Sequence, residues 1–176
     1  MAGYSSGLFS VEMVPYLYQM KIQLWSVGKP HDAYVKAGID DFSKRLNNYF
    51  PVQWQIIPTP KQSASLSDQL QKKAEATAIM QLLEKDDFLI LLDERGKQFS
   101  SPELADILQK RANESTKRLI FLIGGAFGVD ETIAHRANLV WSLSKLVFPH
   151  MLVRLILSEQ LYRACTILRN EKYHHV

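Results

Sequence analysis

Apolar and polar positions alternate along Lys21–Val27 (KIQLWSV), and the run stops at Gly28-Lys29-Pro30. This predicts a first strand closed by a turn. From 31 to 49 the period lengthens: Tyr34, Val35, Gly38, Phe42, Leu46 and Tyr49 recur at helical spacing. Val52, Trp54 and Ile56 alternate with glutamines and predict a second strand. A polar Pro/Gln/Ser loop follows, expected to be mobile, and Ser67 or Asp68 can cap a helix running to about Glu84. Its Lys72-Lys73 pair fits a solvated face. Residues 88–92 (FLILL) and 119–123 (LIFLI) are uninterrupted apolar runs, as expected of strands covered on both faces. Between them, 100–113 predicts a helix, with Ser100 three residues before Glu103 as a possible capping box and Pro102 at its start. A short helix over about 130–137, a strand over 139–143, a helix over 152–168 and a tail, NEKYHHV, complete the chain.

Strands alternating with helices predict an α/β fold, a largely parallel sheet flanked by helices. Ligands of such sheets lie beyond the carboxyl ends of the strands. Three ends qualify: Leu92-Asp93, Ile123-Gly124 and Leu143-Ser144. They meet only if their strands are neighbours. Gly124, Gly125 and Gly128 follow the fourth strand and allow a ligand to approach bare backbone. The loop 144–150 is apolar yet holds Ser144, Lys145 and His150. Side by side, these ends would form a slot for a flat heteroaromatic ligand. Turn glycines and a core-facing connection are the competing reading.

The totals set limits. A chain of 176 residues, 47% hydrophobic and 22% charged, suits one globular domain. No apolar run approaches the roughly 20 residues that span a bilayer. Residues 1–19 lack a basic n-region and a cleavage site, and read as an extension, a tag remnant or a misplaced start before a single domain over 20–176. One cysteine, Cys165, excludes an internal disulfide and a cysteine-based zinc cluster, and with it a cytoplasmic location is expected. A net charge of +3 allows a nucleic-acid partner without demanding one.

The glycine spacing is not G-x-G-x-x-G, and neither a P-loop, H-E-x-x-H nor G-x-S-x-G is present. What remains is a ligand slot, no metal set, and basic groups with histidines in the last third.

Five stretches carry a family resemblance: KIQLWSVGK at the first strand, LLDERGK at 91–97, FLIGGAFGV at 121–129, WSLSKLVFPHMLVRLILSEQLYRA at 141–164 and YHH at 173–175. Together they resemble the small bacterial SPOUT methyltransferases that methylate N3 of a pseudouridine in 23S ribosomal RNA, the large subunit rRNA methyltransferase H family. The resemblance covers residues 20 to the C-terminus. It implies a SPOUT fold with a C-terminal trefoil knot, S-adenosylmethionine as cofactor, a homodimer with the final helix at its interface, and 23S rRNA within the assembled ribosome as partner. By position it places cofactor contacts on Leu92, Gly124, Leu143, Ser144, Lys145, Leu146, Val147 and Phe148. For such a reaction the chemistry of the residues favours Tyr173 to stack on the target base, His174 to take its proton, and Arg154 to bind a phosphate or uracil carbonyl through its guanidinium fork. His150, Glu159 and Asp93 are further candidate bases. Relatives often carry Arg where this chain has His175, which puts in doubt any permanent cation there. A non-catalytic ribosome- or RNA-binding module of the same fold is the alternative.

Overall fold

The computed structural model describes residues 19–61 and 65–175; the expected extension falls outside these but for Gln19, and the polar loop at 58–67 falls partly outside them. The elements in order are β1 (Lys21–Val27), α1 (Ala33–Leu46), β2 (Val52–Ile57), α2 (Asp68–Leu82), β3 (Phe88–Gln98), α3 (Ser101–Asn113), β4 (Arg118–Ile123), α4 (Glu131–Arg136), β5 (Leu139–Ser142) and α5 (His150–Leu168). The sheet order is β2-β1-β4-β3-β5, with every pairing parallel.

Side chains alternate between the two faces of the strands, and each face is covered. Ile22, Leu24, Ile90 and Phe121 pack with Leu46 of α1, Leu104 and Leu108 of α3, and Leu157 and Leu161 of α5. Trp25, Val27, Leu89, Leu91, Ile120 and Leu122 pack with Ala76 and Ile79 of α2 and Ile133 of α4. Burial on both sides explains the continuous apolar runs. Local chemistry sets the helix starts. The Ser67 hydroxyl accepts from Leu70 N, and Asp130 accepts from Thr132 N. Ser100 and Glu103 complete the capping box.

Of the boundaries that differ from expectation, three bear on the site. α1 starts at Ala33, because His31 is held by Arg154 (Nη1 to Nδ1, 3.2 Å) ahead of the helix. α5 begins at His150, with Pro149 supplying the entry angle. Most consequentially, β3 does not stop at Leu92. Leu92 pairs with Trp141, and five residues later Lys97 pairs with Trp141 again and Gln98 with Ser142. The polar stretch 93–98 thus turns back onto β5. Gly96 makes the approach possible: a Cβ there would lie 2.7 Å from Trp141 N, Trp141 C and Val140 C.

Candidate functional site

β3 lies between β4 and β5, so the three strand ends meet. Leu92 is opposite both Ile123 and Trp141. Beyond them opens a cleft of about 1380 Å³. Leu92, Gly124, Leu143, Ser144, Leu146, Val147 and Phe148 all line it, joined by His150. Lys145 is exposed and does not line it.

The floor is a tight turn. Gly128 N donates to the Gly125 carbonyl at 3.1 Å, and Gly128 holds φ +80°, which suits glycine. A Cβ on Gly128 would point into open space, whereas one on Gly124 would meet Val129 Cγ1 at 2.7 Å. One on Gly125 would meet the Glu75 carboxylate at 2.5 Å. Glu75 is buried in α2, and the Gln71 amide donates to it at 3.0 Å. Burial raises its pKa. The opposite wall is shaped by serines: Ser142 Oγ donates to the Ser144 carbonyl (2.9 Å), and Ser144 Oγ accepts from Leu146 N (3.0 Å). This turn leaves Leu146 70% and Val147 78% exposed, apolar surface available to a ligand or a second chain.

The Asp93–Arg95 pair at the cleft is already committed. The carboxylate of Asp93 accepts from Arg95 Nε and Nη2 at 2.9 Å, and that bonding holds its pKa below the usual value. His150, by contrast, has its pKa lowered by burial and then by Arg154. Its ring is therefore neutral at pH 7 and able to accept a proton.

Arg154 is not at the cleft. It is 1% exposed; Nε donates to Ser26 Oγ (2.9 Å), and Nη1 donates to the Lys29 carbonyl (2.9 Å) and to His31. The expected phosphate fork is instead a tie between the first turns of α5 and the end of β1. No carboxylate lies within ion-pair distance of it among the described residues.

The tail lies elsewhere again. Tyr173 OH donates to Glu159 (3.1 Å), its ring meets Tyr162 edge-on at 4.8 Å, and the Arg163 guanidinium lies 4.8 Å above it. Glu159, also bonded to Arg163 and Gln160, is thereby occupied. Tyr49 OH donates to Glu171 at 2.6 Å, and Arg169 donates to the Asn48 carbonyl. Asn48 and Tyr49 immediately precede β2, so the tail sits at the amino ends of the strands. The cleft is at their carboxyl ends. At 1.5 Å per residue, Glu159 and Arg163 are roughly 14–20 Å along α5 from His150. Tyr173 and His174 therefore do not reach the cleft of their own chain. His174 Nδ1 is buried there without a hydrogen-bond partner.

Sequence reading missed Glu75 and the cleft-lining Lys72, Lys73 and Phe127. Glu75 had a signal: Gln71, Glu75 and Ile79 share one helical stripe, and polar residues on a core stripe mark a built contact. Among the described residues, no group of three or more histidines, cysteines or carboxylates could hold a metal, and no helix is long and apolar enough to cross a membrane.

Comparison with known proteins adds to this geometry. The family described as "Predicted SPOUT methyltransferase" matches residues 20–174. A protein of Cytophaga hutchinsonii named ribosomal RNA large subunit methyltransferase H is 49% identical over 156 residues, covering 89% of this chain and 100% of its own length. Its namesake from Christiangramia forsetii is 46% identical, covering 89% of this chain and 99% of its own. The crystal structure of a probable methyltransferase from Bordetella pertussis superposes with a TM-score of 0.52 at 9% identity, covering 89% of this chain and 99% of that one, a likeness of fold alone.

Proposed function

The chain belongs to the SPOUT methyltransferase family, and from that premise we propose that it methylates N3 of a pseudouridine in 23S ribosomal RNA, using S-adenosylmethionine, as a homodimer acting on the assembled ribosome. The observation that carries this reading is the convergence of Leu92, Gly124 and the loop 143–148 on one cleft.

The residues present fit the cofactor. Leu92, Leu143, Leu146 and Phe148 offer apolar walls to an adenine ring, and the backbone of the glycine turn and the serine loop can read its polar edge. Gly124 and Gly128 keep the floor free of side chains. Four carboxylates line the cleft against three cations, a balance suited to a sulfonium. When bound, S-adenosylmethionine supplies an electrophilic methyl group. The chain's own part is to fix the target ring in line with that group, exclude water and remove the N3 proton. Alignment is worth on the order of 7–11 kcal/mol of barrier, and a general base about 10²–10⁴-fold.

Two groups compete for the base. His150 lines the cleft as a neutral imidazole. The tail residues Tyr173 and His174 serve only if a second copy brings its own tail to the cleft. Supporting such a dimer, Met151, Leu152, Leu155 and Ile156 leave an apolar, half-buried face on α5, continuous in sequence with exposed Leu146 and Val147. Arg154 acts in this reading as a positioning residue, anchoring the helix that follows the cofactor loop. The test is incubation with labelled S-adenosylmethionine and ribosomes lacking the modification, then mapping of the labelled nucleotide. Label at N3 of one pseudouridine is expected; no label in ribosomal RNA refutes the proposal.

A further inference from the structure

Lys72 and Lys73 line the cleft from α2, yet neither forms an ion pair within 4.0 Å among the described residues. Their place is fixed by Glu75, one helical turn beyond Lys72, whose carboxylate lies against Gly125. The second central position of that glycine turn is Phe127, a large aromatic ring left 48% exposed at the cleft mouth. Asp130, an acid that also lines the cleft, is engaged by the backbone and hydroxyl of Thr132, and the two lysines lie close enough to help lower its pKa.

The contacts expected for the cofactor include none of these three side chains, and its single carboxylate leaves at least one of the two lysines without an anion. S-adenosylmethionine carries no phosphate, and its expected contacts lie at Leu92, Gly124 and 143–148. A single strand of RNA has both features that the rim lacks: a phosphate at every nucleotide and an unpaired base with a π face. We propose that Lys72, Lys73 and Phe127 form a docking site for single-stranded RNA flanking the target nucleotide, with one base stacked on Phe127 and the adjoining phosphates on the two lysines. The inference rests on the reading of the chain as a ribosomal RNA methyltransferase, and it assigns to the rim of that site the recognition of the flanking strand.

The test uses the full chain, binding to ribosomes lacking the modification, and sedimentation at several salt concentrations, so that it does not depend on turnover. The double variant Lys72→Gln/Lys73→Gln should weaken ribosome binding. It should also make the slope of log K against log salt shallower by about 1.4, since each single-strand phosphate contributes roughly 0.7. Phe127→Ala should weaken binding on the order of 5- to 100-fold without changing that slope, and Phe127→Tyr should restore it. Unchanged circular dichroism in all three shows that they fold; S-adenosylmethionine affinity is titrated alongside, and a loss of it large enough to account for the loss of ribosome binding would assign the residues to the cofactor and overturn the docking site. Ribosome binding and slope equal to wild type in these variants overturn the proposal, as does a wild-type chain that binds neither ribosomes nor single-stranded RNA. Binding that depends on the three residues, without methylation, would sink the reaction proposed above and leave the docking site standing.

Discussion

Replacing Gly96 by alanine tests the contact that shapes the cleft. The new methyl group would lie 2.7 Å from three backbone atoms, Trp141 N, Trp141 C and Val140 C. Carbon atoms pack best at about 3.5–4.0 Å, so the strands must part by roughly 1 Å. Main-chain atoms inside a pairing cannot rotate aside as a side chain can. The cost should therefore fall at the upper end of the overpacking range, about 3 kcal/mol. For a chain of this size each kcal/mol moves Tm by about 2–4 °C, so a loss of roughly 6–12 °C is expected. Because Trp141 leads directly into the loop 143–148, affinity for S-adenosylmethionine should fall at least about tenfold, the equivalent of roughly 1.4 kcal/mol. Differential scanning calorimetry and isothermal titration read the two effects. Gly124→Ala is the internal comparison: its closest neighbour is Val129 Cγ1, a side chain that can yield, so its Tm should drop less. A Gly96→Ala protein that melts within about 1 °C of wild type and binds the cofactor equally well would refute the packing of 93–98 on β5.

Other consequences are open to measurement. Gly124→Val should abolish cofactor binding while circular dichroism shows a folded protein; retained binding would remove Gly124 from the site. Arg154→Ala should lower Tm, and Arg154→Lys, which cannot supply the same fork to Ser26, Lys29 and His31, should recover only part of it; an unchanged Tm would contradict the tie between α5 and β1. Glu75 has a raised pKa, so it favours the folded state below its unfolded value of 4.5 and loses that contribution as pH rises. Relative to wild type, Glu75→Gln should therefore gain Tm as pH climbs from about 4.5 towards neutrality; parallel Tm curves would show the carboxyl is not buried as described. Finally, mixing and re-associating Gly124→Val with His174→Ala chains should restore turnover if sites are shared between two copies, and no recovery would leave His150 as the base.

Much of the cleft was legible in the sequence because its parts are local. An apolar strand ending in glycine, or in a serine-capped apolar loop, announces a strand end, and three such ends need only be neighbours to form a site. What escaped the sequence was long-range. Residues 93–98 are polar and read as a loop; only their pairing with β5, some forty positions away, makes them strand. Arg154 reads as a fork for a phosphate or uracil carbonyl, but it shares a helical stripe with Leu157 and Leu161, and its charge is met by a hydroxyl and a carbonyl from β1 and the turn after it. The tail's distance from the cleft follows from Tyr49 and Asn48 holding it, contacts that no spacing near residue 173 could reveal.

That β3 meets Trp141 twice also sets an order of assembly. The receiving segment, complete by Gln98, leaves the ribosome long before the strand it must hold. Until then the newborn protein has a bare apolar sheet margin where β5 belongs, and such margins recruit other chains. Each molecule thus passes through an adhesive youth, which ends only when β5 has been made and has paired along β3.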